Sequence, residues 1–184
     1  MFESELMKFA EAHETVCANN RTGTLQYTSG SVYEGEVKDG KPHGKGKFTT
    51  SCGDFYVGMW KNGEPHGKGK FTITGDDVRF YEGDWFEGMP CGKGILCYTN
   101  GDIYEGEVYD AAPQGKGIMK YADGTVYEGD VDCGMPHGKG KFIMTDGTNY
   151  DGEWKDGVPH GKGRFTYSDG TTEEYYYING VEQK

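Results

Sequence analysis

The sequence predicts an all-β fold: an elongated single-layer antiparallel sheet of repeated β-hairpins, curved and grooved, with a short N-terminal amphipathic helix. Three observations carry this prediction. A tyrosine returns at intervals of 23, 25, 23, 23 and 23 residues, a period typical of stacked repeats. Apolar and charged residues alternate after each tyrosine, as in a strand with two unlike faces. Glycine-containing turn signals separate these segments. The recurring residues are Tyr33, Tyr56, Tyr81, Tyr104, Tyr127 and Tyr150.

Residues 1–20 differ in kind from the rest of the chain and are predicted to contain the helix, over residues 2–18. Phe2, Leu6, Phe9, His13 and Val16 are spaced by 4, 3, 4 and 3 residues, which places them on one face of an amphipathic helix. Two roles are open for this segment. It is either a cap that covers the first strand or its groove, or a helix that docks on a partner.

Residues 21–178 are predicted to form the repeat array, and residues 179–184 a tail. The array begins with a partial repeat over 22–32, which supplies a second strand without its first. Full repeats start at positions 33, 56, 81, 104, 127 and 150, and a modified terminal strand covers 171–178. Atypical terminal units are expected in a repeat protein, because an open strand edge invites aggregation.

Each full repeat is predicted to form one hairpin. In the first repeat, the strand from Tyr33 leads into a Gly- and Pro-containing connection from Asp39 to Gly44, and the second strand starts at Lys45. Tight two-residue turns are predicted between repeats, because Asn-Gly and Asp-Gly adopt positive φ at low cost. The second-to-third interval has two extra residues, which we assign to a longer loop. The predicted turn pairs are Asn100-Gly101, Asp123-Gly124, Asp146-Gly147 and Asp169-Gly170.

The two faces of the predicted sheet differ in chemistry. One face carries the tyrosine, a Val or Trp four residues later, and an apolar residue of the second strand. Glycine recurs two residues after each tyrosine, which indicates that an aromatic ring lies directly on the backbone there. The other face is a ladder of acids and lysines. Exposed cross-strand pairs stabilise by only about 0.2–1 kcal/mol, so we expect this ladder to provide solubility and strand register.

The repeat unit resembles a known family once it is written as Y-E-G-E-x-x-D-G-x-P-H-G-x-G-x-F. It is similar to the MORN (membrane occupation and recognition nexus) repeat, over about residues 22–178. The resemblance implies a single-layer antiparallel sheet with a groove. It also implies a scaffold, since family members commonly act in cilia, flagella and the cortical cytoskeleton. Some bind a partner helix along the groove, and others self-associate.

Composition and charge exclude several classes of partner. The formal net charge is −11, which disfavours nucleic acid and anionic lipid surfaces because both require a basic footprint. The sequence shows neither a signal peptide nor an apolar run long enough for a membrane span. The five cysteines include no CxxC pair and are interpreted as free thiols in a reducing compartment. We therefore expect a cytoplasmic, cytoskeleton-associated protein.

No pattern in the sequence indicates catalysis, a cofactor or a metal, and we expect a protein that is not an enzyme. Four histidines share one repeat position, but equivalent positions lie about 9–10 Å apart, too far to share one ion. The Gly-Lys-Gly-Lys stretches lack the spacing and the Ser/Thr of a phosphate-binding loop. The acids hold repeated positions, whereas catalysis normally needs a non-repeated constellation. The histidines are His43, His66, His137 and His160.

The function predicted from these observations is a protein-binding scaffold of a cytoskeletal, ciliary or flagellar assembly, radial-spoke-like or cortical. An aromatic stripe in a one-layer sheet is expected to remain partly exposed and to bind a partner helix or segment. A homodimer through the terminal repeats is also considered. The alternative is a membrane-associated tether that binds anionic phospholipid. The candidate groove residues are Tyr56, Trp60, Phe71, Tyr81, Trp85, Tyr104, Phe142 and Trp154.

Overall fold

The computed structural model describes residues 12–15, 21–75 and 77–183 of the chain, and these residues form strands and connections without a helix. They divide into two compact units, Met1–Thr99 and Asn100–Lys184. The first unit contains β1 (Ala12–Thr15), β2 (Arg21–Tyr27), β3 (Val32–Lys38), β4 (Lys41–Thr49), β5 (Phe55–Lys61), β6 (Glu64–Thr72), β7 (Val78–Phe86) and β8 (Met89–Tyr98). The second contains β9 (Ile103–Tyr109), β10 (Ala112–Lys120), β11 (Val126–Asp132), β12 (Met135–Ile143), β13 (Asn149–Lys155), β14 (Val158–Thr166), β15 (Thr172–Ile178) and β16 (Val181–Glu182).

Each unit is an antiparallel sheet in which every strand pairs with the strands that precede and follow it in that unit. In the first repeat, Tyr33 pairs with Phe48 and Gly35 with Gly46. The same register recurs in the later repeats, for example Tyr104 with Met119. The predicted all-β, single-layer antiparallel hairpin repeat is therefore confirmed for each unit.

The tight turns lie at the opposite end of the hairpins from the one predicted. β3 ends at Lys38 and β4 begins at Lys41, so Asp39-Gly40 is a two-residue turn, with φ of 51° and 73°. Positive φ at both central residues defines the type I′ turn, whose twist matches the flanking strands. The longer connection predicted from Asp39 to Gly44 is wrong, because the Pro that suggested it already lies in β4.

The Asn-Gly and Asp-Gly pairs between repeats lie in longer connections. Five residues, 121–125, join β10 to β11. Gly124 has a φ of 91°, whereas Asp123 is not in the positive-φ region, and the Gly124 amide donates to the Tyr121 carbonyl at 3.0 Å. The predicted two-residue turns at these pairs are therefore wrong. Dipeptide chemistry alone did not distinguish the two ends, since Asp-Gly occurs at both.

The two extra residues of the second-to-third interval lengthen a strand, not a loop. The β6–β7 connection spans residues 73–77, the usual five. β7 instead starts three residues before Tyr81, and β8 has 10 residues where β4 has 9. A register irregularity between Val78 and Phe80 accommodates the difference, as expected for a β-bulge.

Every second strand carries a bulge at its glycine. Gly35 pairs with Gly46 and Val37 with Pro42, so three residues of β4 stand opposite Glu36 alone. Gly44 lies at the centre of this bulge with a φ of 64°. The equivalent glycines have φ between 58° and 73°, namely Gly67, Gly92, Gly115, Gly138 and Gly161.

The ends of the chain differ from the sequence prediction in two respects. The helix predicted over 2–18 lies mostly outside the described residues, and its described part, Ala12–Thr15, forms β1 and pairs with β2. Strand pairing there satisfies backbone groups of β2 that would otherwise face solvent. The predicted tail begins with another type I′ turn, Asn179-Gly180, which leads into β16.

Candidate functional site

The structure places the predicted groove residues in the interior of the repeats. Tyr56, Tyr81 and Tyr104 have no exposed surface, and Trp60 and Trp85 are 2% exposed. Phe71 and Trp154 are buried, and Phe142 is half-buried. The expectation that this aromatic stripe is partly exposed is wrong for seven of these eight residues.

The burial follows from how tyrosine and glycine combine. The Tyr33 ring lies on the Gly35–Gly46 pair so closely that a Cβ added at Gly46 would overlap the ring. The prediction that a ring lies on the backbone at these glycines is thus confirmed. In the fourth repeat, the Tyr104 hydroxyl is 2.8 Å from the Glu107 carbonyl and 3.2 Å from that of Gln114. Each tyrosine covers a glycine pair. Four of the hydroxyls also join the two sides of the bulge, those of Tyr33, Tyr81, Tyr104 and Tyr127.

Burial raises the pKa of Tyr127 to about 12, because an ionised phenolate is poorly solvated there. The Tyr150 hydroxyl differs from the others in having no hydrogen-bond partner among the described atoms. These hydroxyls are neutral structural donors and not candidates for acid–base chemistry.

Tryptophan packs between successive tyrosines. The Trp60 ring makes edge contacts with Tyr33 and Tyr56, with ring centroids 5.1 and 5.0 Å apart. Its Nε1 donates to the Gly46 carbonyl at 3.2 Å. Edge-to-face geometry of this kind stabilises buried aromatic pairs. Ring contacts run from Tyr27 through Trp60 to Trp85 in the first unit and from Tyr127 through Trp154 to Tyr177 in the second. The aromatic rings are thus largely buried, and most of the acids and lysines of the other face are exposed.

The charged face carries hollows in the second unit. One, of about 800 Å³, is lined by residues that include Lys141, Asp151, Arg164 and Glu174. Another, of about 580 Å³, is lined in part by Lys116, Ile118, Glu128 and Lys139. The concave surface that the sequence assigned to the aromatic face therefore lies on the ladder of acids and lysines.

The acids of the ladder hold the bulges as well as facing solvent. The Lys45 amide donates to Glu36 Oε1 at 2.8 Å, and the Lys139 amide donates to Asp130 Oδ2 at 3.0 Å. Asp84 accepts the equivalent bond from the Lys93 amide at 3.1 Å. The sequence did not predict this role, because the bulge that exposes the amide has no sequence signal of its own.

Ion pairs join neighbouring repeats on the same face. Lys116 Nζ lies 2.6 Å from Asp130 Oδ1, and Lys68 Nζ lies 2.7 Å from Asp84 Oδ1. These lysines hold the pKa of the Asp130 and Asp84 carboxyls below the usual range, since a nearby positive charge favours the carboxylate.

The repeated histidines contact the next repeat. His43 Nδ1 accepts from the Asn62 amide at 3.5 Å, and His160 Nδ1 accepts from the Asn179 amide at 3.3 Å. Within the described parts of the chain, no three His, Cys, Asp or Glu side chains form a group that could hold a metal ion. A search of the described residues for a helix able to cross a membrane finds none.

A family model for the MORN repeat matches six consecutive segments, residues 33–54, 56–77, 81–103, 104–126, 127–149 and 150–172. The chain belongs to the MORN-repeat family. The six segments coincide with the hairpins that begin at each recurring tyrosine. The MORN signature thus encodes the tyrosine, its glycine pair and the type I′ turn.

Solved structures show the same fold at low sequence identity. The MORN-repeat chain is similar to the TCP domain of SAS-4 (dCPAP) of Drosophila melanogaster in complex with a proline-rich motif of Ana2 (dSTIL), with a TM-score of 0.56, 12% identity, and coverage of 95% of this chain and 94% of that one. It is also similar to the TCP10 domain of Danio rerio CPAP in complex with a STIL peptide, with a TM-score of 0.50, 18% identity, and coverage of 90% and 84%. A search of curated protein sequences finds no significant match.

Proposed function

We propose that this MORN-repeat chain is a non-enzymatic scaffold that binds a segment of a partner protein within a cytoskeletal, ciliary or flagellar assembly. The observation that carries the proposal is the likeness of the fold to TCP domains whose structures hold peptides of partner proteins. The cytoskeletal setting rests on the family resemblance. Sheets of this kind bind extended or helical segments through backbone and alternating side-chain contacts.

The partner segment is expected to bind on the charged face. The aromatic rings are occupied with one another and with the glycine pairs, so a partner could reach them only after local unfolding. The charged face offers hollows of about 800 and 580 Å³ lined by both signs of charge. Complementary charge at such a surface provides specificity and a fast association rate. A membrane tether is not favoured, because acids stand between the lysines in five of the six full repeats.

Cross-linking mass spectrometry on the tagged full chain in its native cells tests the proposal. Lys141 and Lys162 line the larger hollow of the second unit, whereas Lys38 and Lys61 lie beside turns of the first unit, so a lysine-reactive reagent distinguishes the two regions. We expect one partner protein to cross-link repeatedly to ladder lysines such as Lys141 and Lys162. Fluorescence microscopy of the same tagged chain with axonemal and cortical markers tests the setting.

A charge-reversed variant supplies the control. Lys141→Glu/Lys162→Glu should lose the partner, and Lys38→Glu/Lys61→Glu should keep it, with both variants remaining folded by circular dichroism. Recovery of no protein partner, or recovery that neither pair affects, contradicts the proposal. Light scattering on the purified chain separately tests the predicted homodimer through the terminal repeats.

A further inference from the structure

The second repeat lacks the acids that every other full repeat carries on the charged face. β5 has Val57 and Met59 at the two positions where the other five repeats have Glu or Asp. Val57 is 47% exposed and Met59 is 39% exposed. Two apolar side chains of one strand therefore face solvent at positions where the other full repeats carry acids.

Lysines surround these two side chains. Val57 pairs in register with Lys47 on one side and Lys70 on the other, and Met59 pairs with Lys45. Lys68 lies on the same face, two residues from Lys70. We call these six residues the β4–β6 patch: Lys45, Lys47, Val57, Met59, Lys68 and Lys70. It holds four lysines and no carboxylate.

The equivalent strands of the fifth repeat show what the patch has lost. β11 carries Glu128 and Asp130 between the lysines of β10 and β12. Asp130 caps the Lys139 amide and pairs with Lys116. Met59 has no oxygen that could accept the corresponding amide hydrogen bond. The second repeat thus lacks the carboxylate–amide hydrogen bond that the first and third repeats make, and it exposes apolar surface. Departures of this kind from the pattern of a fold are expected at functional sites.

We propose that the β4–β6 patch binds an acidic peptide segment that also carries apolar side chains. The proposal rests on the proposed scaffold function and names the chemistry of the partner. Lys45 and Lys47 have no ion pair within 4 Å among the described residues, whereas Lys68 and Lys70 pair with Asp84 at 2.7 Å and Glu82 at 3.1 Å. Carboxylates of the segment bind Lys45 and Lys47, and its apolar side chains cover Val57 and Met59.

The dimensions of the patch favour a single peptide segment over a broad polyanion. Three strands at about 4.8 Å spacing span about 10 Å, the width of one helix or one extended segment. Beyond that width the face turns acidic, at Glu34 and Glu36 on β3 and at Glu82 and Asp84 on β7. An anionic membrane or a nucleic acid duplex would meet these acids, whereas a narrow segment does not.

Fluorescence anisotropy with a defined probe tests the proposal on the full chain. The probe is a fluorescein-labelled decapeptide in which glutamate alternates with leucine and phenylalanine. The Val57→Glu/Met59→Glu variant installs the residues that other repeats have, so its fold should be kept. We expect it to bind the probe at least about tenfold more weakly than the native chain. Raising the salt concentration should weaken native binding.

A second variant introduces the same two kinds of side-chain exchange at exposed positions elsewhere. Met135→Glu/Val158→Glu makes the same two exchanges at side chains that are 46% and 38% exposed, in the second unit. It should bind the probe within about twofold of the native chain. A probe with serine in place of leucine and phenylalanine should bind the native chain weakly, because the apolar contact is lost.

Four results would overturn the proposal: equal weakening by both variants, equal binding of the serine probe, a preference for phosphatidylserine vesicles over the probe, or self-association that Val57→Glu/Met59→Glu abolishes. The last two would assign the patch to a membrane or to a second copy. If a native partner still cross-links to Lys141 and Lys162 in Val57→Glu/Met59→Glu, the proposed scaffold function is retained and the proposal for the β4–β6 patch is wrong.

Discussion

At the scale of single residues, the fold depends on a tyrosine ring that replaces the missing second layer. A one-layer sheet has no opposing surface to bury its apolar residues. Here the ring turns back onto its own glycine pair, and its hydroxyl reaches the carbonyls of the bulge. Glycine is required at these positions because any side chain would occupy the space of the ring, not because of backbone torsion.

Substitution of Gly46 tests this packing. Gly46→Ala should lower the free energy of unfolding by about 2–3 kcal/mol, because the added methyl overlaps the Tyr33 ring. Gly147→Ala is the comparison, since its Cβ meets nothing within 4 Å and its φ of 88° adds only backbone strain. Urea denaturation measures both. A loss at Gly46 no larger than that at Gly147 would contradict the role of the Tyr33 ring.

Removal of the tyrosine hydroxyl should have unequal effects along the chain. Tyr104→Phe should destabilise by about 1 kcal/mol, because it removes the hydrogen bond to the Glu107 carbonyl. Tyr150→Phe should be nearly neutral, since the Tyr150 hydroxyl has no partner among the described atoms. Chemical denaturation of both variants and of the native chain checks that the loss of stability is larger for Tyr104→Phe than for Tyr150→Phe. A larger loss at Tyr150 would contradict it.

Ala111 is the exception among the tight turns. It occupies the second turn position with a φ of 60°, where the other turns have glycine. An L-residue in the left-handed region costs about 1 kcal/mol. Ala111→Gly should therefore raise the free energy of unfolding by roughly that amount, as measured by denaturation. Gly134→Ala, at the same position of the next turn, should lower it.

At the scale of the hairpin, two devices fix the geometry: a type I′ turn at one end and a glycine bulge capped by a carboxylate near it. The sequence predicted the hairpins correctly from alternation and period. It misplaced the turns because an Asp-Gly pair occurs at both ends of the hairpin, as at Asp39-Gly40 and Asp123-Gly124. Only the strand pairing shows at which of the two pairs both residues have positive φ. The bulge could not be predicted, since its glycine is one of several in the second strand and only the strand pairing shows which of them is bulged.

The carboxylate that caps a bulge makes the stability of the fold depend on pH. The Lys116 ammonium and the Lys139 amide lower the pKa of Asp130 in the folded chain. A lowered folded pKa contributes stability above the unfolded value of about 3.9, and that stability is lost as the pH falls through the folded pKa. Asp130→Asn keeps an oxygen for the amide and removes the charge. It should cost about 0.5 kcal/mol at pH 7.

The pH dependence of that cost separates charge from hydrogen bonding. Thermal melts of the native chain and of Asp130→Asn should converge as the pH falls below about 4, because the native carboxyl is then also neutral. A difference that persists unchanged at low pH would contradict the assignment of this cost to the charge of Asp130.

At the scale of the whole molecule, the sequence predicted the repeat family and the all-β fold, and it failed on which face is available. The sequence predicts that the stripe through Trp60 and Trp85 is partly exposed, because a single layer has no second layer to cover it. The rings fill that space themselves, so the solvent-facing surface is the charged ladder. The positions that carry the proposed binding patch are Val57 and Met59. The sequence shows them as the one full repeat without acids at these two positions, but their significance depends on which face is exposed.

The bonds between successive turns have a consequence for how such a chain can change in length. The Gly63 amide donates to the Pro42 carbonyl and the Gly157 amide to the Pro136 carbonyl, each within 3.0 Å. One residue added to a turn would break such a bond, whereas the opposite end has already absorbed two residues before Tyr81. Insertions and deletions should therefore accumulate at that opposite end, and the turn end should change only by whole repeats. An epitope inserted after Gly147 should be displayed by a folded chain, and one inserted after Gly157 should not.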